Sequence, residues 1–170
     1  MDVFDAIKNR KSIRKYSNKP IEKEKIDKVL EAGRLAPSAK NRQEWKFILV
    51  QNKELIEKLS VAALYNRAFV AEAPAILAAV ATEQDYVMKC GQHAYTVDLS
   101  IAMSFMILEA EELGLGTCWL GSFDEEQFKK VLNIPDGMRV VAITPIGYPA
   151  EDPAPKPRKP IEEVVSYDGF

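Results

Sequence analysis

One histidine, His93, and two cysteines, Cys90 and Cys118, are the only imidazole and thiols in this chain of 170 residues. His93 has no metal-binding neighbour at useful spacing, and the cysteines lack metal-ligand spacing too. Neither a zinc site nor a disulfide framework is therefore expected. With no adjacent cation or histidine to lower its pKa, Cys118 reads as a small buried residue, and His93 as structural. A formal net charge of −2 excludes the broad basic surface that nonspecific nucleic-acid binding needs. The strongest apolar run, Leu99 to Leu108, is too short to span a bilayer, and Asp2 and Asp5 interrupt any signal-peptide start. The expectation is a soluble, reduced, cytoplasmic protein. A dinucleotide fingerprint is also missing. Gly114-Leu115-Gly116 lacks the third glycine and follows a helical pattern instead of opening one.

What the chain does have is local cationic density. Arg10-Lys11-Ser12-Ile13-Arg14 puts three fixed cations and a hydroxyl into five residues. In an extended segment Arg10, Ser12 and Arg14 fall on one side, where they suit a phosphate through charge-assisted, partly bidentate hydrogen bonds. The plain alternative is a solvated basic face continued by Lys8 and Lys15. With 47% hydrophobic and 28% charged residues, residues 1–170 suit one globular domain.

Asp2 can cap a short helix with Val3, Phe4 and Ile7 on one face. Glu22 to Ala36 carries Ile26, Val29, Leu30 and Gly33 at helical spacing before Pro37 stops it. Pro37 to Gln43 is a polar loop, either a plain connector or a set of groups able to hydrogen-bond a planar heterocycle. Trp45 to Gln51 reads as a strand with apolar residues on both faces, Lys53 to Leu64 as helix, and Ala75 to Ala81 as an interior strand of small residues. His93 to Leu113 is the longest helix. Its apolar middle implies burial on most sides, at the centre of the fold or at a subunit interface. Gly114 and Gly116 end it. Gly121-Ser122 permits close backbone approach to a ligand, or is simply a tight turn before a helix that Asp124 and Gln127 cap. Val140 to Ile146 is the last strand. From Pro149 to residue 170 the chain is a Pro-rich arm, disordered or extended across something.

Four stretches together resemble the nitroreductase family of flavin enzymes. They are Arg10-Lys11-Ser12-Ile13-Arg14-Lys15-Tyr16, Ala36 to Trp45 (Ala-Pro-Ser-Ala-Lys-Asn-Arg-Gln-Glu-Trp), Gly114-Leu115-Gly116-Thr117-Cys118-Trp119-Leu120-Gly121 and Lys156-Pro157-Arg158-Lys159-Pro160. Their order and spacing match the family, and the likeness covers nearly the whole chain. The resemblance implies an α+β fold with a mixed sheet wrapped by helices, in an intertwined homodimer. It also implies one FMN (sometimes FAD) at each of two interface sites.

Carried over residue by residue, the resemblance makes Arg10, Lys11 and Ser12 phosphate and ribityl contacts, with Lys156 and Arg158 closing over the phosphate from the tail. Arg14 becomes the cation beside the flavin N1–O2 edge. Pro37, Ser38, Ala39 and Asn41, joined by Gln43, match the stretch that reaches across from the other subunit. Asn66 matches an amide contact to the ring, and Leu120 and Gly121 match backbone donors near N5 and O4. The sequence departs from the family pattern at Lys11 (usually arginine), Glu44 (often proline), Phe69 (lysine in some members) and Phe105 (often polar). The implied activity is NAD(P)H-dependent reduction of nitroaromatics, quinones or similar conjugated acceptors by a ping-pong cycle, with no side chain needed as general acid or base. A flavin-binding sensor or carrier without turnover, and a specialised enzyme such as a reductive dehalogenase on the same scaffold, are the alternatives.

Overall fold

Seven small or branched apolar residues in a row, Ala75–Ala81, form strand β2, and every one of them is buried. Alternation sends Ile76, Ala78 and Val80 to one face and Leu77, Ala79 and Ala81 to the other, so both faces demand cover. The computed structural model describes residues 2–170 and supplies that cover with helices on each side. β1 (Trp45–Val50) and β4 (Arg139–Gly147) flank β2, and the two-residue β3 (Gly116–Thr117) lies beyond β4, giving the order β1-β2-β4-β3. All three pairings are antiparallel. The parallel component of the sheet is a single bridge, Ser12 to Thr117, which joins the basic segment to β3. The expected α+β class is what the chain adopts.

On one face α3 (Lys53–Ala62), α4 (Arg67–Glu72) and α6 (Glu125–Leu132) pack Ile56, Leu59, Val70 and Phe128 against Ile76, Val80 and Ile143. On the other, α2 (Lys23–Arg34) and α5 (Ala94–Glu112) set Ile26, Val29, Leu99, Met103 and Met106 against Leu77, Ala79 and Ala142. Each fully buried Leu, Met or Phe contributes about 1.5–3 kcal/mol. β1 serves both layers, with Ile48 and Val50 turned to the first and Trp45, Phe47 and Leu49 to the second.

Two apolar helix faces are left open by the single chain. The stripe on α1 (Val3–Asn9) forms, with Asp2 accepting the Asp5 N–H at 2.8 Å as its cap. It turns away from the chain's own core: Val3, Phe4 and Ile7 are 74%, 70% and 53% exposed, and Ala6 alone is buried. α5 runs close to its expected bounds, ending at Leu113 and then Gly114, whose φ of +74° suits glycine best. Its burial is one-sided, however. Leu99, Met103 and Met106 are inside, whereas Thr96, Val97, Ser100, Ile101, Ser104 and Phe105 line an open groove, with Phe105 42% exposed.

The tail from Tyr148 to Pro160 is without regular secondary structure and ends in one tight turn, Ile161–Glu163. It doubles back along the basic segment. Ser17 N–H donates to Tyr148 O, Tyr16 bridges Pro149, and Ala150 N–H donates to Lys15 O. The arm is thus laid across the start of the chain.

Candidate functional site

The basic segment lies between two clamps. Below it, Ile13 is buried and its N–H donates to Thr117 O at 2.9 Å. Gly116 makes that approach possible, since a Cβ there would sit 2.7 Å from Ile13 Cγ1. Above it, the returning tail gives Glu151, which accepts the Arg14 N–H at 2.6 Å, and Asp152, which pairs with Lys11. Tyr16 pins the far end, its buried hydroxyl donating to Ile13 O at 2.7 Å, and burial pushes that phenol's pKa up.

Beside this clamped segment is a cavity of about 530 Å³ lined by Arg10, Lys11, Ser12 and Arg14, by Lys156 and Arg158, and by Lys8, Phe4, Ile7 and Pro153 to Pro155. The six residues expected at a phosphate and its neighbourhood therefore border one cavity, although the chain brings them from its two ends. Among the described residues no carboxylate lines this cavity. Such a donor set, five cations and a hydroxyl of which Lys11 alone is paired with an acid, Asp152, fits a phosphate monoester. Its volume is within the range of small-molecule sites.

Around the cradle lie further expected residues. The Arg14 guanidinium stands 5.9 Å from the Phe69 ring centroid. Asn66, one residue before α4, donates through Nδ2 to Ser122 O at 3.2 Å, so it sits beside Gly121. Leu120 is buried and exchanges two backbone hydrogen bonds with Ile143; its own N–H donates to Ile143 O at 2.9 Å. Of the Leu120–Gly121 pair it is therefore Gly121, exposed with nothing near its Cβ position, whose backbone faces open space. Cys118 has Ser12 and Arg14 near enough to favour its thiolate, but burial outweighs them and its pKa is raised.

Pro37, Ser38, Ala39, Asn41 and Gln43 do not line the cradle of their own chain. They form a separate exposed or half-buried loop anchored to α5, where both carboxylate oxygens of Asp98 accept the Ala39 N–H at 3.1 Å. Within it Ser38 Oγ accepts the Gln43 N–H at 3.1 Å. Lys40 and Arg42 flank the Tyr86 ring at 4.7 and 5.1 Å.

Sequence reasoning missed five contributors. Phe4 and Ile7 line the cavity, because their periodicity marks a face without saying what it faces. Lys8 belongs with them at the i+4 position from Phe4, which is the signal that could have found it. Glu151 and Asp152 go unread because their partners lie at the far end of the sequence.

A family model described as nitroreductase family matches residues 7–64 and 58–148. A nitroreductase family protein from Clostridium difficile 630 superposes with a TM-score of 0.89 at 33% identity, over 100% of both chains. An FMN-dependent nitroreductase from Clostridium difficile R20291 does so with a TM-score of 0.81 at 30% identity, over 98% of this chain and 99% of that one. The FMN reductase [NAD(P)H] of Bacillus subtilis is 31% identical over 180 residues, covering 96% of this chain and 72% of the relative. Matched through nearly all of its sheet and helices, the chain belongs to the nitroreductase family.

Proposed function

We propose that this chain is an NAD(P)H-dependent FMN oxidoreductase that reduces nitroaromatic, quinone or similar conjugated acceptors, and that it acts as a homodimer with a flavin at each subunit interface. The observation that carries the reading is the cationic cavity on which Arg10, Lys11, Ser12, Arg14, Lys156 and Arg158 converge. The relatives support it: one is described as an FMN-dependent nitroreductase, another as an NAD(P)H-linked FMN reductase.

When bound, FMN supplies the two-electron relay between a nicotinamide donor and an acceptor that occupy the same face in turn. The chain's own residues do the rest. Arg10, Ser12, Lys156 and Arg158 hold the phosphate, and Lys11, shared with Asp152, adds charge without full commitment. Arg14, beside Phe69, offers positive charge where the ring gains electrons, a fixed electrostatic contribution that needs no reorganisation. Gly121 and Asn66 supply polar contacts at the ring's rim. The loop from Pro37 to Gln43, remote from its own cradle, completes the site of a second copy.

The test is the colour of the purified protein, then mass spectrometry of the released cofactor and anaerobic addition of NADH or NADPH. One FMN per chain, bleached by a nicotinamide, is the expected result. A colourless protein that ignores added FMN sinks the proposal, and a yellow one that neither nicotinamide reduces turns it into a carrier.

A further inference from the structure

Among the described residues Asp98 is the one charged side chain in the buried set, at 7% exposed. It lies on α5 next to the fully buried Leu99. Both of its hydrogen bonds come from the same group, the Ala39 N–H. A buried carboxylate with so little compensation is costly to keep. What it holds is unusual as well. In the four residues that follow Ala39, Lys40, Asn41 and Gln43 have φ of +54°, +55° and +53°, a left-handed backbone that Asn41 tolerates but that Lys40 and Gln43 do not adopt cheaply. The remaining ties are bonds internal to the loop (Gln43 to Ser38, Gln43 to Asn41), the exposed stacking of Lys40 and Arg42 on Tyr86, and the far end, where Glu44 O accepts the Thr82 N–H. Asp98 is the tie between the near end and the rigid α5.

We propose that Asp98 is a positioning residue for the flavin ring, holding the Ala39 N–H so that Ser38, Ala39 and Asn41 are presented in one fixed arrangement. The inference rests on the flavin reading above and deepens it. Asp98 touches no cofactor atom; it acts through the loop. Its role therefore separates ring binding from phosphate binding, which in the proposed site falls to a cavity that neither Asp98 nor the loop lines.

Three variants of the full chain test this: Asp98→Ala, which removes the acceptor; Asp98→Asn, which keeps an oxygen in its place; and Ala39→Pro, which removes the donor. Proline suits position 39, because Ser38 before it is extended (φ −140°, ψ 157°) and Ala39 opens a tight turn. Calorimetric titrations with FMN, riboflavin and inorganic phosphate are compared. Asp98→Ala and Ala39→Pro should each weaken FMN and riboflavin about tenfold while leaving phosphate unchanged, and Asp98→Asn should stay within about threefold of wild type. The double variant should lose no more than either single one, because both remove the same contact.

Phosphate binding lost in parallel with riboflavin, or additive losses in the double variant, would overturn the assignment by showing a general structural role. If Asp98→Ala does not fold, Ala39→Pro carries the same comparison, and unchanged riboflavin affinity there overturns it. A wild-type chain that takes no FMN overturns the flavin reading itself, and this inference with it. Wild-type FMN binding that both variants match overturns this inference alone.

Discussion

Arg14 and Arg158 border one cavity, yet their charges meet different partners in the proposed site. A phosphate keeps its charge whatever the redox state, so Arg158→Ala should weaken oxidised and reduced FMN alike, by about 1.5–3 kcal/mol for a charge-assisted contact. Arg14 is worth most when the ring carries negative charge, so Arg14→Ala should lower the bound flavin's potential. A differential of about 1.4 kcal/mol corresponds to roughly 30 mV. Potentiometric titration of both variants checks this, and a potential that moves only in Arg158→Ala would reverse the assignment. Asp98 yields a pH dependence. Desolvation raises its pKa, helped by the nearby Glu44 and opposed by the Ala39 N–H. Between the unfolded carboxylate pKa, about 4, and the higher folded value, the native state holds more protons than the unfolded chain. Stability therefore falls as pH rises through that window, and the cost stays above it. Asp98→Asn removes the ionisable group, so its thermal midpoint should gain on wild type as pH rises through the window and converge with it below. An Asn variant that loses ground with rising pH would mean that the charged hydrogen bond outweighs burial.

Single elements carry the next consequences. Gly116 in β3 admits the basic segment only because it has no side chain. A Cβ there would meet Cγ1 and Cβ of Ile13 at 2.7 and 2.8 Å, the stiff part of a β-branched residue. Gly116→Ala should cost about 1–3 kcal/mol by overpacking and weaken FMN as well, since Ile13 sits between Ser12 and Arg14. A thermal melt and an FMN titration on one sample would show both losses, and a melt that falls without the affinity would uncouple β3 from the cradle. Elements of this kind were legible in the sequence where local pattern and packing agree. β2 has the bounds that its run of small apolar residues implies, and α5 ends where Gly114 says it should. The outward turn of α1 was not legible, because amphipathic spacing fixes that Val3, Phe4 and Ile7 lie together and leaves open which surface receives them. Nor was the pairing of Lys11 with Asp152 or of the Arg14 N–H with Glu151, since no local pattern links the two ends of a chain. The cationic half of the site could be read from residue types within a short stretch. Asp98 could not, because an acid on a helix ordinarily faces water.

For the whole molecule, the stripe of Val3, Phe4 and Ile7 on α1 and Phe105 in the open groove along α5 are large apolar side chains that the single chain leaves in water. With the ring loop standing apart from its own cradle, the two observations favour an assembly of two copies. Light scattering at low concentration should give twice the chain mass. Phe105→Lys, which places a charge in the α5 groove, should shift the protein toward monomer and release flavin with it. A Phe105→Lys monomer that stays yellow would separate the site from the interface. The strap formed where Tyr148, Pro149 and Ala150 run back along Lys15 to Ser17 has a consequence in time. Helices and strands between the two ends can pack as the polypeptide emerges, but the cradle needs Arg10 and Arg158 together. On the ribosome the first half of the site must wait, open, while the intervening chain is made. In the proposed site, cofactor capture would therefore follow translation of the arm, and a chain ending before Lys156 would lack two of the cations that close over the phosphate.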